Sequence, residues 1–515
     1  MRIAVDVVSI REDGSAGGAT GFAIELIRGL SNVPGNTVFV LCADWNANTL
    51  KKSLPTCVRF LQIIGRKETT GIVLIDKTLS KLEQKINSRG VLHANRIDVL
   101  CCPFSAIGNR ENGIPVVSTI LDIQHEFYPQ FFEAKELYSR KRFYTNIVRK
   151  ADWITCISDY TKDTFCDLYK FPRERATTIY IAVEDRFKNS DDRILQKLNL
   201  VGEQYILFPA NFWEHKNHRL LLLAFSMYVS NGGKGKLVLS GNPLGQEEYY
   251  NNVIKGLGIK GHVEITGYLS NEEVFSLLKN MKGLIFPSLF EGFGIPIVEA
   301  MLLHKLVASS NLTSLPEIGC DNIFYFNPQK PDEILAGIKY LFETEMTADI
   351  INDYNNKLQE YQTQLMVEKY MDVFKHVIKN QRKIVDEHCE GIYPDKWSEK
   401  QIDIQFNGHM GEIVSFSLSN PEFVNMDIKI KISHNGRIGN EILRIGEQKV
   451  IELKIIDEAT HIKMKFSPTW NPHHLLSNDD NRNLGVLVNG ITVDNAEESI
   501  SLQTILEKNN GEGQI

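Results

Sequence analysis

The sequence predicts two tandem α/β units, each a doubly wound parallel sheet, facing each other across a cleft and followed by an all-β, sandwich-like module. Three observations carry this. Near-continuous apolar runs alternate with helical patterns over the first 356 or so residues. That alternation starts afresh at Tyr205, so it describes two units rather than one. From about residue 401 the period changes to strict apolar–polar alternation.

The elements follow in order. Arg2 to Ile10 is a continuous apolar run, the signature of a strand buried on both faces. The glycine-rich stretch GSAGGATG (14–21) and the helical FAIELIRGL come next. Further strands are expected at 37–43, 96–103, 114–122, 152–158 and 176–183. The second unit has strands at 205–210, 236–241, 262–268, 282–288 and 305–310, separated by HRLLLLAFSMYVS, NEEVFSLLKNM and IPIVEAMLLH. Residues 357–384 read as one or two amphipathic helices, and the polar DEHCEGIYPDKWSEK (386–400) as a linker. Beyond it, QIDIQF, IVSFSLS, MDIKIKIS, KVIELKI and HIKMKF belong to seven or eight short strands. The predicted division is therefore 1–198, 199–356, 357–400 and 401–515.

Composition narrows the function. The chain has 515 residues, 43% of them hydrophobic, and a net charge of −7, which disfavours nucleic acid as a partner. Eight scattered cysteines without a C-x-x-C pair read as free thiols in a reducing compartment. No signal peptide and no membrane span are read, so a cytoplasmic protein is expected, with peripheral contact at the inner face of a membrane left open. A homo-oligomer is also left open.

The stretch FPSLFEGFGIPIVEAM (286–301) carries the chemistry. Gly292 and Gly294 permit close backbone approach and positive φ. Pro296 suits the first turn of a helix. The backbone N–H groups and the helix dipole there form an anion site suited to a diphosphate. Glu291 before the helix and Glu299 in its first turn can accept hydrogen bonds from sugar hydroxyls and a ribose diol. Lys216, in EHKNH after the first strand of the second unit, can reach a diphosphate across the cleft.

These residues resemble the signature of glycosyltransferase family 4, retaining enzymes of the GT-B fold, in which two Rossmann-like domains face a cleft. PANFWEHKNHRLLLLAF (209–225), ITGYLSNEEVFSLL (265–278) and NLTSLPEIGCDNIFYFNP (311–328) share the resemblance, which spans roughly residues 1–385. It implies an acceptor-side first domain and a nucleotide-sugar donor domain second. It assigns Glu291 to the donor sugar, with Phe293 and Ile295 in the same loop, and Glu299 to the ribose. Lys216 matches one half of the family's basic pair. The other position is Asn211, and Arg219 could supply the second phosphate contact. Gly17 and Gly18 would lie against the donor phosphate. Backbone groups near Tyr268 and Leu269 would meet the base. Where many relatives place His-Asp, this chain reads Leu121-Asp122 with His125 three residues on, so either Asp122 or His125 could approach the acceptor hydroxyl.

The resemblance implies metal-free transfer with no cofactor beyond the nucleotide sugar, and the chain has no D-x-D acid pair. RKRFYTNIVRK (140–150) is either a solvated helix face or a membrane-contacting one. In the β module, Asp480, Arg482, Leu484 and Gly485 resemble a segment of accessory domains in polysaccharide glycosyltransferases, and Trp470 either stacks on a sugar or packs inside. The expected function is a retaining glycosyltransferase acting on a glycan or lipid-linked glycan in bacterial surface polysaccharide synthesis. GDP-mannose is the first donor choice and a UDP-sugar the next. An epimerase or phosphorylase on the same fold, and a non-catalytic glycan-binding protein, are the rivals.

Overall fold

The computed structural model describes residues 1–10, 18–64, 90–111, 114–183, 189–379, 388–393, 395–407, 413–456, 459–473, 480 and 482–494. The chain divides into two compact units, Met1–Asn380 and Gln381–Ile515.

The first unit holds two lobes. In the N-terminal lobe, β1 (Arg2–Asp6), β2 (Thr37–Ala43), β3 (Arg59–Ile64), β4 (Val99–Cys102), β5 (Val116–Ile120), β6 (Trp153–Cys156) and β7 (Ala176–Thr178) form a parallel sheet ordered β3-β2-β1-β4-β5-β6-β7. In the second lobe, β8 (Tyr205–Pro209), β9 (Lys236–Ser240), β10 (Val263–Gly267), β11 (Gly283–Phe286), β12 (Leu306–Ser310) and β13 (Phe324–Phe326) are ordered β10-β9-β8-β11-β12-β13. The central strands are buried throughout, as in Val99–Cys102 and Gly283–Phe286, because helices cover both sheet faces. Strand order reverses between β1 and β4 in one lobe and between β8 and β11 in the other. Those switch points open crevices at the carboxyl ends, where ligands of such sheets bind. The loops after β8 and β11 carry Lys216 and Glu291.

The chain passes between the lobes twice, after β7 and again between Leu358 and Thr363. The two passages touch: Val183 N–H donates to Tyr361 O at 3.2 Å. The Thr363–Lys379 helix then packs back on the N-terminal lobe, where the buried Tyr370 hydroxyl meets Thr119 Oγ1 at 2.9 Å and Thr155 Oγ1 at 3.1 Å. The turn at Gln359–Tyr361 separates it from the Ala348–Leu358 helix, so the described part of the predicted 357–384 stretch is one α-helix, preceded by the last residues of another.

In the second unit, β14 (His388–Ile392), β15 (Ser398–Asn407), β20 (Ala459–Ser467), β17 (Ile428–His434) and β18 (Arg437–Leu443) form one antiparallel sheet. A second contains β19 (Gln448–Lys454), β16 (Ile413–Ser419) and β21 (Leu487–Asp494). Inward residues of both sheets, among them Ile404, Phe416, Ile430, Met464 and Val488, share one core. β16 alternates buried and half-buried residues along its length, the pattern of a strand with one face in a core.

Two expectations need correction. The polar stretch read as linker contains β14 and the start of β15, because its charged residues sit on strands whose apolar partners lie downstream. β3 and β13 were not read as strands. Both are edge strands with mixed burial, so neither shows the continuous apolar run of a central strand. No helix among the described residues is long and apolar enough to cross a membrane. Seven cysteines among the described residues are free thiols, and burial pushes the Cys42 thiol up to about 11, which suits a packing role.

Candidate active site

The loop leaving β11 passes Pro287, Ser288, Leu289 and Phe290 before Glu291, and the helix begins at Ile295. Its two glycines do different work. Gly294 has φ +113°, which only glycine adopts without strain. Gly292 is there for closeness: a Cβ on it would lie 2.0 Å from Leu121 O, at the end of β5 in the other lobe. Pro296 occupies the first turn, where its missing N–H costs nothing. Glu299 lies one turn further in than expected, in the second turn, and is buried.

Lys216 Nζ pairs with Glu291 Oε1 at 2.5 Å, and both side chains are largely shielded from water. Lys216 is delivered by a short 3-10 turn, Glu214–Lys216, ended by Asn217 in the left-handed region. Asn217 is itself fixed by its Nδ2 donating to Pro287 O and Pro328 O. Leu289 N–H donates to His215 O at 2.7 Å, which ties the two loops together. His215 sits beside the pair. Burial first, and the Lys216 charge second, push it down to about 4, so it is neutral at pH 7.

Across the cleft, Gly18 begins the Gly18–Asn32 helix and faces Ile295: a Cβ there would lie 2.5 Å from Ile295 Cδ1. Two helix N-termini, one from each lobe, therefore meet at Ile295, in the loop-to-helix stretch that carries Glu291, and both favour negative charge. Gly17 lies outside the described residues.

Of the two candidates after β5, the structure brings Asp122 and not His125 to this place. Asp122 feels the charges of Glu291 and Lys216, and burial raises its carboxyl above the usual range. His125 is turned into the N-terminal lobe. It is fully buried, stacks on Tyr144 at 5.0 Å and places Nε2 3.0 Å from the Tyr169 hydroxyl. Burial pushes it down to about 4, so it is a neutral packing histidine.

The remaining candidates divide. Asn211 Oδ1 accepts from Asn242 N–H at 2.8 Å and so joins the loops after β8 and β9. Arg219 is tied to Glu214 at 3.1 Å and lies over the Tyr249 ring. Tyr268 is 75% exposed at the end of β10, and Leu269 beside it is buried. Phe293 is buried against Tyr180 and Tyr361 at the passage between lobes. In the second unit Trp470 packs with Trp397 and Phe423, the internal alternative. Arg482 is held by Asp480 and Asp395 over the Tyr393 ring, and Gly485 lets the chain pass against Ser398 and Glu399. That segment locks strands of the β unit.

Sequence reasoning missed the hydroxyls that hold the loop. Ser314 Oγ lies 2.9 Å from Glu291 O and 3.1 Å from Phe293 O, and Glu291 N–H donates to Thr313 Oγ1. Ser158 Oγ, from the other lobe, donates to Gly292 O at 2.8 Å. The signal available was Ser158 as an N-cap before the helical DYTKDTF.

This geometry agrees with the comparisons. The family model described as Glycosyltransferase Family 4 matches residues 16–187, and that described as Glycosyl transferases group 1 matches 190–363. Together they account for both lobes, and the chain belongs to the glycosyltransferases of family 4. The O-antigen chain mannosyltransferase B of Escherichia coli is 27% identical over 227 residues, 43% of this chain and 60% of that protein. The O-antigen chain mannosyltransferase RfbU of Salmonella typhimurium is 27% identical over 252 residues, 47% of this chain and 64% of that one. The chain thus spans less than two thirds of these relatives' lengths. Among solved structures, Anabaena HepE in complex with UDP and glucose aligns with a TM-score of 0.56 at 17% identity, over 73% of this chain and all of that one. Sucrose-phosphate synthase from Thermosynechococcus elongatus aligns with a TM-score of 0.59 at 15% identity, over 74% of this chain and all of that one. These two show the GT-B fold.

Proposed function

We propose that the chain transfers a sugar, with retention at the anomeric carbon, from a nucleoside-diphosphate sugar to a hydroxyl of a bacterial surface glycan, free or lipid-linked. The observations that carry this reading are the Lys216–Glu291 pair and, in the same loop-to-helix stretch as Glu291, the meeting of two helix N-termini at Ile295. A diphosphate entering there finds one lysine and two positive helix ends. These stabilise the charge that builds on the leaving phosphate, the part a metal plays in other sugar transferases. Glu291, released from Lys216, accepts hydrogen bonds from sugar hydroxyls. Glu299, buried one turn into the helix, is suited to a ribose diol. Asp122, its carboxyl raised above the usual range by burial, is suited to a hydroxyl near the reacting carbon. The leaving phosphate takes up the acceptor's proton, and the two lobes exclude water.

Mannose carried by GDP is the first choice of donor, supported by the names of the two curated relatives; a UDP-sugar is next. The Ala134–Lys150 helix exposes Tyr138, Lys141, Arg142 and Phe143 together, which suits an anionic membrane surface carrying the acceptor.

The test is a thermal-shift panel of GDP, UDP, TDP and their sugars on wild type and Glu299→Ala. A ligand that binds the folded state raises its midpoint. One base should do so with wild type and lose the effect in the variant. No response to any of them at millimolar concentration refutes the donor site.

A further inference from the structure

We infer that Ser158, on the acceptor-side lobe, is a positioning residue that sets one of the backbone N–H groups offered to the donor diphosphate by the opposite lobe; this rests on the donor-site reading above. In a planar trans peptide the C=O and N–H point in opposite directions. Three consecutive carbonyls of the loop are held by hydroxyls. Ser314 holds those of Glu291 and Phe293, and Ser158 holds that of Gly292. The N–H groups of Gly292, Phe293 and Gly294 are therefore turned away from these hydroxyls, and none donates to an acceptor among the described residues. N–H groups left without a partner just before a helix are available to an anion and form its cradle.

Two of the three are set from within the donor lobe, since Ser314 belongs to it. The third, Phe293 N–H, is set from the other lobe. Ser158 is buried and has one proton. Its Oγ accepts from Thr161 N–H at 3.1 Å as the N-cap of the Asp159–Tyr169 helix and lies 2.9 Å from Thr161 Oγ1. The Thr161 hydroxyl also lies 3.4 Å from Gly292 O, so Ser158 Oγ, at 2.8 Å, is the nearer of two hydroxyls on that carbonyl. The same helix end is gripped from the donor lobe: the Glu317 carboxylate accepts from Asp159 N–H at 2.5 Å and Tyr160 N–H at 3.0 Å. Phe290, next to Glu291, packs among Phe127, Tyr128 and Tyr160 of the acceptor-side lobe. The helix end and the donor loop are thus registered at several points. The cradle is complete only when the lobes meet in this register, so its third donor acts in the closed, reacting complex.

The test compares Ser158→Gly with Ser158→Thr in the full chain. Glycine is accepted at an N-cap, so folding is kept while the hydroxyl is lost. Threonine keeps both. Ser158→Gly should lower kcat about tenfold or more and change the Kd for GDP, UDP or TDP, whichever wild type binds, by less than about threefold. Ser158→Thr should retain kcat. Ser314→Ala, acting inside the donor lobe, should weaken nucleoside-diphosphate binding and kcat together. If Ser158→Gly turns over like wild type, or Ser158→Thr is equally impaired, the positioning role is wrong while the donor site stands. If wild type binds none of the three nucleoside diphosphates, the donor site itself fails and this inference with it.

Discussion

Replacing Gly292 with alanine should cripple the enzyme while leaving it folded. The new methyl would be placed 2.0 Å from Leu121 O and 3.1 Å from Asp122 Cβ. A carbon approaches a carbonyl oxygen to about 3.3 Å, so the donor loop and the end of β5 must separate by about 1.3 Å. Leu121 O is backbone at the end of a central strand and cannot swing aside as a side chain would. A misplacement of ~1 Å between reacting groups costs on the order of 100-fold in rate, which is about 2.7 kcal/mol of transition-state stabilisation. The assay is release of nucleoside diphosphate from whichever sugar nucleotide wild type turns over, with the melting midpoint followed alongside. Gly21→Ala is the control. Gly21 lies in the Gly18–Asn32 helix with no neighbour within 4 Å, so alanine there should stabilise by about 0.5–1 kcal/mol without touching turnover. A Gly292→Ala protein whose kcat/KM stays within threefold of wild type would refute the argument that the two lobes meet this closely during reaction.

Two further outcomes follow from the same site. Lys216→Ala should lower kcat by roughly 100- to 1,000-fold, the loss typical of a donor aimed at developing negative charge, whereas Arg219→Ala should change it less than threefold because Arg219 is exposed and already held by Glu214; the reverse order in steady-state kinetics would make Arg219 the phosphate ligand. Stability should fall on acidification through His218, which burial and the Lys216 charge push down to about 3. Its folded value lies below the unfolded one, so its contribution is intact above about pH 6.5 and is lost as pH falls toward 3, amounting to about 2 kcal/mol by pH 5. His218→Phe, which keeps a ring against Phe212, should flatten the slope of denaturation free energy against pH between 7 and 5, and an unchanged slope would show that His218 is not the group responsible.

The legible parts of this molecule were those written in local chemistry. Central strands such as Arg2–Asp6 and Leu306–Ser310 are visible because burial on both faces demands unbroken apolar runs. The 286–301 stretch is visible because a strand-to-helix turn with two glycines, a proline and two acids has few other uses. β3 and β13 were hidden because edge strands mix exposed and buried residues. His125 illustrates a different limit. A histidine near a strand end is equally good as a cleft residue or a core one, and only the inward turn of Gln124–Phe127 decides between them. Ser158, Ser314 and Glu317 were illegible because each acts on a segment more than 20 residues away, and nothing in its own neighbourhood announces the partner.

The two passages of chain between the lobes touch where Val183 N–H donates to Tyr361 O. Bodies connected by one strand can swivel about a point; bodies connected by two adjacent strands turn about a line. Relative motion is thereby reduced toward a single angle, and every contact across the cleft becomes a function of that angle. Ser158 at Gly292, Glu317 at the helix end, and Gly18 at Ile295 all lie across the cleft that such a turn would open. How the chain is threaded thus bears on which contacts across the cleft can change together.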